Sequence, residues 1–251
     1  MNTFEGWGSD AVSLVERAIA AHGGDRTWRE TRSIRLPFRS GFGPLLMLKG
    51  YRHTFPAPQE YEVFPHERVT LFHGYPDELH CGRFSDGNVT IERIDGGGAP
   101  LESLNHRRTF EGLAKCRRWS PLDALYFFGY ALWHYHVLPF TLGEAHLSRV
   151  LMSGGVPMGL EVVFSPEVHT HCRRQQIYFG ANGRIVRHDY VAEVMGFWAR
   201  GAHLWEDYGE CGGLAIARRR RVVVQLGGYA TPVPALCIQL GQPVIAKSSV
   251  S

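Results

Sequence analysis

No two cysteines in this 251-residue sequence stand at the CxxC spacing of a zinc or redox centre. The five present, Cys81, Cys116, Cys172, Cys211 and Cys237, are odd in number. Free thiols in a reducing compartment are therefore expected. A G-x-S-x-G elbow is absent, and Ser9, Ser153 and Ser165 have no recognisable partner for nucleophilic catalysis. Dinucleotide and P-loop signatures are missing too. Gly96-Gly97-Gly98 follows no strand-loop-helix pattern, so it reads as plain loop and no cofactor is expected. A net charge of +3 is too small to point to nucleic acid, which needs clustered positive charge. No apolar run is long enough for a bilayer span, so stable membrane insertion is not expected. The start, MNTFEGWGSDAVSLVERAIAAHGG, lacks a basic n-region, an unbroken apolar h-region and a cleavage box. A cytoplasmic location is the resulting expectation, and the oligomeric state stays open.

The composition that is present, 44% hydrophobic and 20% charged, is that of a globular chain, and 12% aromatic residues with six Trp suit an aromatic-lined interior. One domain over residues 1–251 is expected, with flexible ends at 1–8 and 245–251. The one dense basic run, Arg218 to Arg221, lies in the strand-like LAIARRRRVVVQL. Alternation sends Arg218 and Arg220 one way and Arg219 and Arg221 the other, so a solvated or salt-bridged strand is expected rather than an anion patch.

Residues 10–22 carry Ala11, Leu14, Val15, Ala18 and Ile19 as a one-sided helical stripe, with Ser9 or Asp10 as cap and Gly23-Gly24 as terminator. From residue 33 to 94 the pattern becomes strand-like, as IRLPF, LLMLKGYRHTF, YEVF, RVTLFH, LHCGRF and NVTIERI, which predicts an antiparallel meander. Ser120-Pro121-Leu122-Asp123 opens a second helix that is apolar nearly all round, as a buried helix covering a sheet would be. Strands are expected again at HLSRVLM, GLEVVFS, LWEDYGE, LAIARRRRVVVQL and PALCIQL, with a short turn or helix over residues 197–203 and a polar tail, AKSSVS.

The segment over residues 171–190, HCRRQQIYFGANGRIVRHDY, reads as a β-hairpin with Asn182-Gly183 in a two-residue type I′ turn. Ala181 then pairs with Arg184, Ile177 with His188 and Gln175 with Tyr190. One face carries His171, Arg173, Gln175, Ile177, Phe179, Val186, His188, Tyr190 and Ala192. The other face, with Arg174, Gln176, Tyr178, Arg187, Asp189 and Glu193, reads as a charge-paired surface. Imidazole, amide and phenol among aliphatic groups are what a ligand cavity contains, and they are equally what hydrogen-bonded structural residues provide.

As an acid–base site, His188 would be general base or acid, Tyr190 and Gln175 would hold a carbonyl or oxyanion, and His171 would carry a second proton or orient the ligand. Candidate ligand contacts are Arg173, Ile177 and Phe179, with Tyr130, Trp133 and His134 of the apolar helix. No metal is expected; the alternative is a three-histidine zinc site of His169, His171 and His188.

Four stretches, AIAAHGGDRTWRETRSI, ALWHYHVLPF, THCRRQQIYFGANGRIVRHDY and DYGECGGLAIARRRRVVV, together resemble an uncharacterised bacterial family. That family is in turn similar to the LolA/LolB/LppX-type lipoprotein-carrier half-barrel proteins. The most specific piece falls on Thr170, His171, Gln175, Tyr178, Phe179, Arg187, His188, Asp189 and Tyr190. The resemblance implies an α+β fold: a strongly curved antiparallel β-sheet, a half-barrel, with helices plugging its concave face around a hydrophobic groove. It implies no reaction. The expected function is binding of a hydrophobic or aromatic small molecule. The alternative is a cofactor-independent cyclase, isomerase or hydrolase of secondary metabolism acting in the same cavity.

Overall fold

Alternating runs bounded by Gly, Pro and Asn turns become strands along most of the chain, for which the computed structural model describes residues 4, 6–50 and 59–248. The first group is β1 (Thr31–Phe42), β2 (Glu60–Phe64), β3 (Val69–His73), β4 (His80–Ser85), β5 (Asn88–Arg93) and β6 (Leu101–Ser103). The second is β7 (His146–Ser153), β8 (Val156–Val163), β9 (Arg174–Phe179), β10 (Ile185–Val191), β11 (Arg200–Cys211), β12 (Leu214–Leu226), β13 (Tyr229–Leu240) and β14 (Val244–Lys247). They form one open, 14-stranded antiparallel sheet in the order β6-β5-β4-β3-β2-β1-β13-β12-β11-β10-β9-β8-β7. β1 joins the two wings. Its later half pairs with β13, Phe38 opposite Leu240, while its earlier half pairs with β14, Ile34 opposite Ile245. The start of the tail forms β14; of the ends expected to be flexible, residues 1–3, 5 and 249–251 lie outside the described residues.

Helix α1 (Ser9–Ala21) buries the stripe the sequence marked, Ala11, Leu14, Val15, Ala18 and Ile19. Its N-cap is Gly8 with no side-chain cap bond, so neither Ser9 nor Asp10 fills that role. Gly23 and Gly24, both at positive φ, end it, and a further helix, α2 (Gly24–Glu30), starts at once. Trp28 of α2 stacks on Phe140 at 4.3 Å between centroids. LLML was expected as strand and is instead a helical turn, α3 (Pro44–Met47), with Pro44 supplying the fixed φ of a first helical position. The remainder of that run, residues 51–55, lies outside the described residues.

The Ser120 and Asp123 capping box forms as read. Ser120 accepts from the Asp123 N–H, and Asp123 accepts from the Ser120 N–H at 2.7 Å. The helix it opens, α4 (Pro121–Val137), is buried from Asp123 to Val137. On one side it packs on β2 to β5, where Thr70 Oγ1 donates to Gly129 O at 3.0 Å. Gly129 permits this approach, since a Cβ there would stand 2.3 Å from Phe84 Cβ. On the other side its side chains bond to the β9–β10 wing. A helix enclosed in this way needs no polar face, which explains its composition.

In the hairpin, Ile177 faces His188 as expected, but the turn differs. Gly183 N–H donates to Gly180 O at 2.9 Å and Gly180 N–H to Arg184 O at 2.8 Å; Gly183 has φ 81°, whereas Asn182 stays out of the left-handed region. This is a longer loop with a glycine bulge, not a type I′ turn. A register shift between Ile185 and Arg187 absorbs the extra residue. Ile185 is consequently buried and Val186 is exposed. The segment expected as a short turn or helix over 197–203 enters β11 at Arg200.

Candidate functional site

β9, β10 and the chain leading into them place a row of polar side chains against α4. His171 shares one ring nitrogen with Tyr130 Oη at 3.0 Å and the other with Tyr135 Oη, and Tyr135 Oη bonds Tyr190 Oη at 2.9 Å. The imidazole of His171 also stacks on the Tyr190 ring, 3.9 Å between centroids. Beside this chain stands Gln175. Its Nε2 donates to Cys172 O, which can only accept, and that fixes the amide orientation. Its Oε1 therefore faces His134 Nε2 at 3.1 Å and His188 Nε2, and both imidazoles must donate from Nε2. Their Nδ1 atoms are left as buried acceptors without a partner among the described residues.

Burial keeps these rings neutral. It pushes His134 down to about 4 against the raising effect of the Gln175 bond. Burial first, and then the charges of neighbouring groups, holds His171 and His188 well below the usual histidine value. Burial likewise raises the Tyr130 and Tyr135 phenols well above theirs. The outer face of the hairpin is charge-paired as read: Arg174 and Gln176 reach Glu161, Arg187 grips Asp189 at 2.7 Å, and Glu193 meets Arg107.

A cavity of about 80 Å³ lies between α4 and β11 to β13, walled by Phe127, Ala131, Leu132, Val222, Ala235 and Ile238 among others. Of the eleven residues nominated as catalytic, ligand-binding or metal-binding, Tyr190 is the one that lines it among the described residues. His171, Gln175, His188, Tyr130 and His134 form the adjoining polar layer, while Ile177 and Phe179 are ordinary core. Trp133 turns to a separate groove of about 720 Å³ beside α1 and α2, and donates to Pro65 O at 3.0 Å. Charged residues of both signs, Glu16, Asp25, Arg29 and Arg68, line that groove, so the smaller apolar cavity is the better ligand site despite its size. Arg173 is exposed and donates to Phe164 O at 3.0 Å, because the chain has not yet entered the β9 alternation there.

The alternative zinc triad does not assemble. His169 Nδ1 is bonded to Tyr126 Oη at 3.0 Å, both nitrogens of His171 are occupied by phenols, and no group of three metal-ligating side chains is disposed to hold an ion among the described residues.

Two side chains that the sequence reading passed over do reach the cavity, His203 of β11 and Arg220 of β12. His203 is the cross-strand partner of His188, packs edge-on against Tyr135 at 4.4 Å, and has no partner at either ring nitrogen among the described residues. Arg220 is 3% exposed, with Nε and Nη1 unpartnered among the described residues. Three of the four arginines behave as expected, Arg218 pairing with Asp207 and Arg219 and Arg221 with Glu206. The fourth overturns the solvated reading: Arg220 lies opposite Trp205 and Ile238, so the pleat sends it inward. The available signal was that alternation, combined with Trp205 and His203 on a strand expected to start later.

No helix is long and apolar enough to cross a membrane among the described residues. No family model and no curated protein matches the chain. Among solved structures, the LolA superfamily protein NE2245 from Nitrosomonas europaea is similar over 94% of this chain and 93% of its own, with a TM-score of 0.50 at 10% identity. A DUF1329 family protein from Desulfovibrio piger ATCC 29098 is similar over 97% of this chain and 96% of its own, at 11% identity and a TM-score of 0.44. The chain has a LolA-like fold, as its similarity to the NE2245 protein shows.

Proposed function

We propose that this protein binds a hydrophobic or aromatic small molecule in the cavity between α4 and β11 to β13. The observation that carries this reading is a wall of Phe127, Ala131, Leu132, Val222 and Ile238 that leaves unfilled space beside polar groups with no partner. Apolar walls with a few placed polar groups are what small-molecule sites are made of. In this reading α4 occupies the concave side of a half-barrel, which its contacts with both wings support. The five free thiols support a reducing compartment such as the cytoplasm. The reading does not extend to catalysis, because His171, Gln175 and His188 are absent from the cavity wall among the described residues.

Titration with N-phenylnaphthylamine, whose fluorescence rises in apolar surroundings, tests it. Saturable enhancement is expected, and Ala131→Phe, which fills the cavity, is expected to weaken binding by at least about tenfold while preserving the far-UV spectrum. Equal binding by the filled variant would remove this cavity as the site.

A further inference from the structure

Arg220 is a buried cation without an anion. Its guanidinium carbon lies over the Trp205 ring, 3.8 Å from the centroid, and over the Tyr135 ring at 5.5 Å. The in-plane donors at Nε and Nη1 point to no acceptor, and no carboxylate pairs with it among the described residues. An ion taken out of water keeps its place only when something offsets the lost hydration, and ring faces offset a part. His203 stands on the same side of the sheet, two residues before Trp205 on β11, again with no partner at either nitrogen. A neutral imidazole always keeps one N–H to donate. Two unpartnered donors thus line one otherwise apolar cavity, whose edge adds the exposed Arg200.

We propose that the ligand is an apolar monocarboxylic acid whose carboxylate ion-pairs with Arg220 and accepts a hydrogen bond from His203, its hydrocarbon part lying along Ala131, Leu132 and Val222. The inference deepens the binding reading above and rests on it. The planar fork of arginine matches a carboxylate, and one buried positive charge is balanced by one negative charge. A phosphate dianion would leave a net buried negative charge, so it fits less well. A cavity of about 80 Å³ takes the acid group and the first part of the chain; a longer tail leaves between Leu45 and the half-exposed Trp198.

Calorimetric titration of the full-length protein with the straight-chain acids from butanoate to dodecanoate, each against its primary alcohol, tests this, with decyl phosphate as a further arm. The acid of the best-fitting length is expected to bind at least about tenfold tighter than its alcohol, and tighter than decyl phosphate. Arg220→Met is expected to remove that preference by weakening the acid while leaving the alcohol unchanged. Equal binding of acid and alcohol by the unaltered protein would overturn the carboxylate and leave the apolar cavity standing. Tighter binding of decyl phosphate than of decanoate would overturn the monoanion. Binding of neither series would overturn the cavity reading along with it. The comparison within the unaltered protein is decisive even if Arg220→Met does not fold.

Discussion

Gln175 holds His134 and His188 together through one amide oxygen, which accepts an N–H from each ring. Its nitrogen meanwhile donates to Thr170 and Cys172. Gln175→Met keeps the shape and removes every one of these bonds, stranding two imidazole donors and two acceptors in the core. Each stranded group costs about 1–3 kcal/mol, so with four of them a loss of at least about 4 kcal/mol is expected in urea unfolding. A loss below about 1 kcal/mol would show that water replaces the amide.

Stability should fall steeply in mild acid. Burial lowers His22 and His134 to about 4 and His136 to about 3, and takes His171, His188 and His203 well below the usual value. For each, the unfolded chain binds its proton near the ordinary value of about 6.5 while the folded chain does not. The stabilisation is therefore complete above that pH and is lost as pH falls toward about 4, by about 1.4 kcal/mol per pH unit per ring. Carboxylates act in a lower window. Burial raises Glu161, but hydrogen bonds from Gln176, Arg174 and Ser148 outweigh this and hold it at about 2, so its loss begins only near the ordinary carboxylate value. Urea midpoints that stay constant between about pH 7 and about pH 5 would contradict the histidine account.

Asp123 combines a helix cap with a buried ion pair, bonded to His106 at 2.9 Å, to Arg117 and to the backbone of Ser120. Asp123→Ala should cost about 3–5 kcal/mol, the scale of breaking a buried pair, against about 1–2 kcal/mol for Ser120→Ala, which removes the cap and one hydroxyl donor to the Asp123 carboxylate but leaves the ion pair. Equal losses in the two variants would mean that the ion pair adds nothing to the cap.

Gly183 and Gly154 both have positive φ, 81° and 55°. A Cβ at Gly183 would lie 2.9 Å from Arg17 O of α1, while Gly154 faces open space. Gly154→Ala should cost about 1–2 kcal/mol, the left-handed penalty alone, and Gly183→Ala clearly more because helix and hairpin must separate. Matching denaturation midpoints for the two would argue that α1 yields freely.

Arg220→Met should leave the ligand-free protein as stable or raise its melting temperature, since replacing a buried charge with an apolar chain of similar length is commonly neutral or stabilising by about 1–4 kcal/mol. A large drop in thermal melting would reveal a structural anion partner.

Period-two alternation made the interior legible where pairing was regular. It placed Gln175, Ile177, His188 and Tyr190 inside before any coordinates, and the capping box located the start of α4. It failed where the chain departs from a ladder. Arg173 precedes β9, and Val186 sits in the bulge. Arg220 was missed for another reason: alternation assigns residues to two faces but not which face is covered, and four successive arginines read as solvated. The cavity itself was not legible, because it depends on how far α4 stands from β11 to β13, a distance no local pattern encodes. His203 fell in a segment read as turn.

Among the described residues the strands of the two wings pair through β1, whose Phe38 lies against Leu240 while Ile34 lies between Val63 and Ile245. Leu240 and Ile245 are separated from Phe38 and Ile34 by most of the chain. The entropy of closing so long a loop must be met before either wing can seal the other, so the protein should be a slow folder of high contact order. Until that closure, α4 has only one wing to shelter its rings, and the interval exposes the molecule to aggregation.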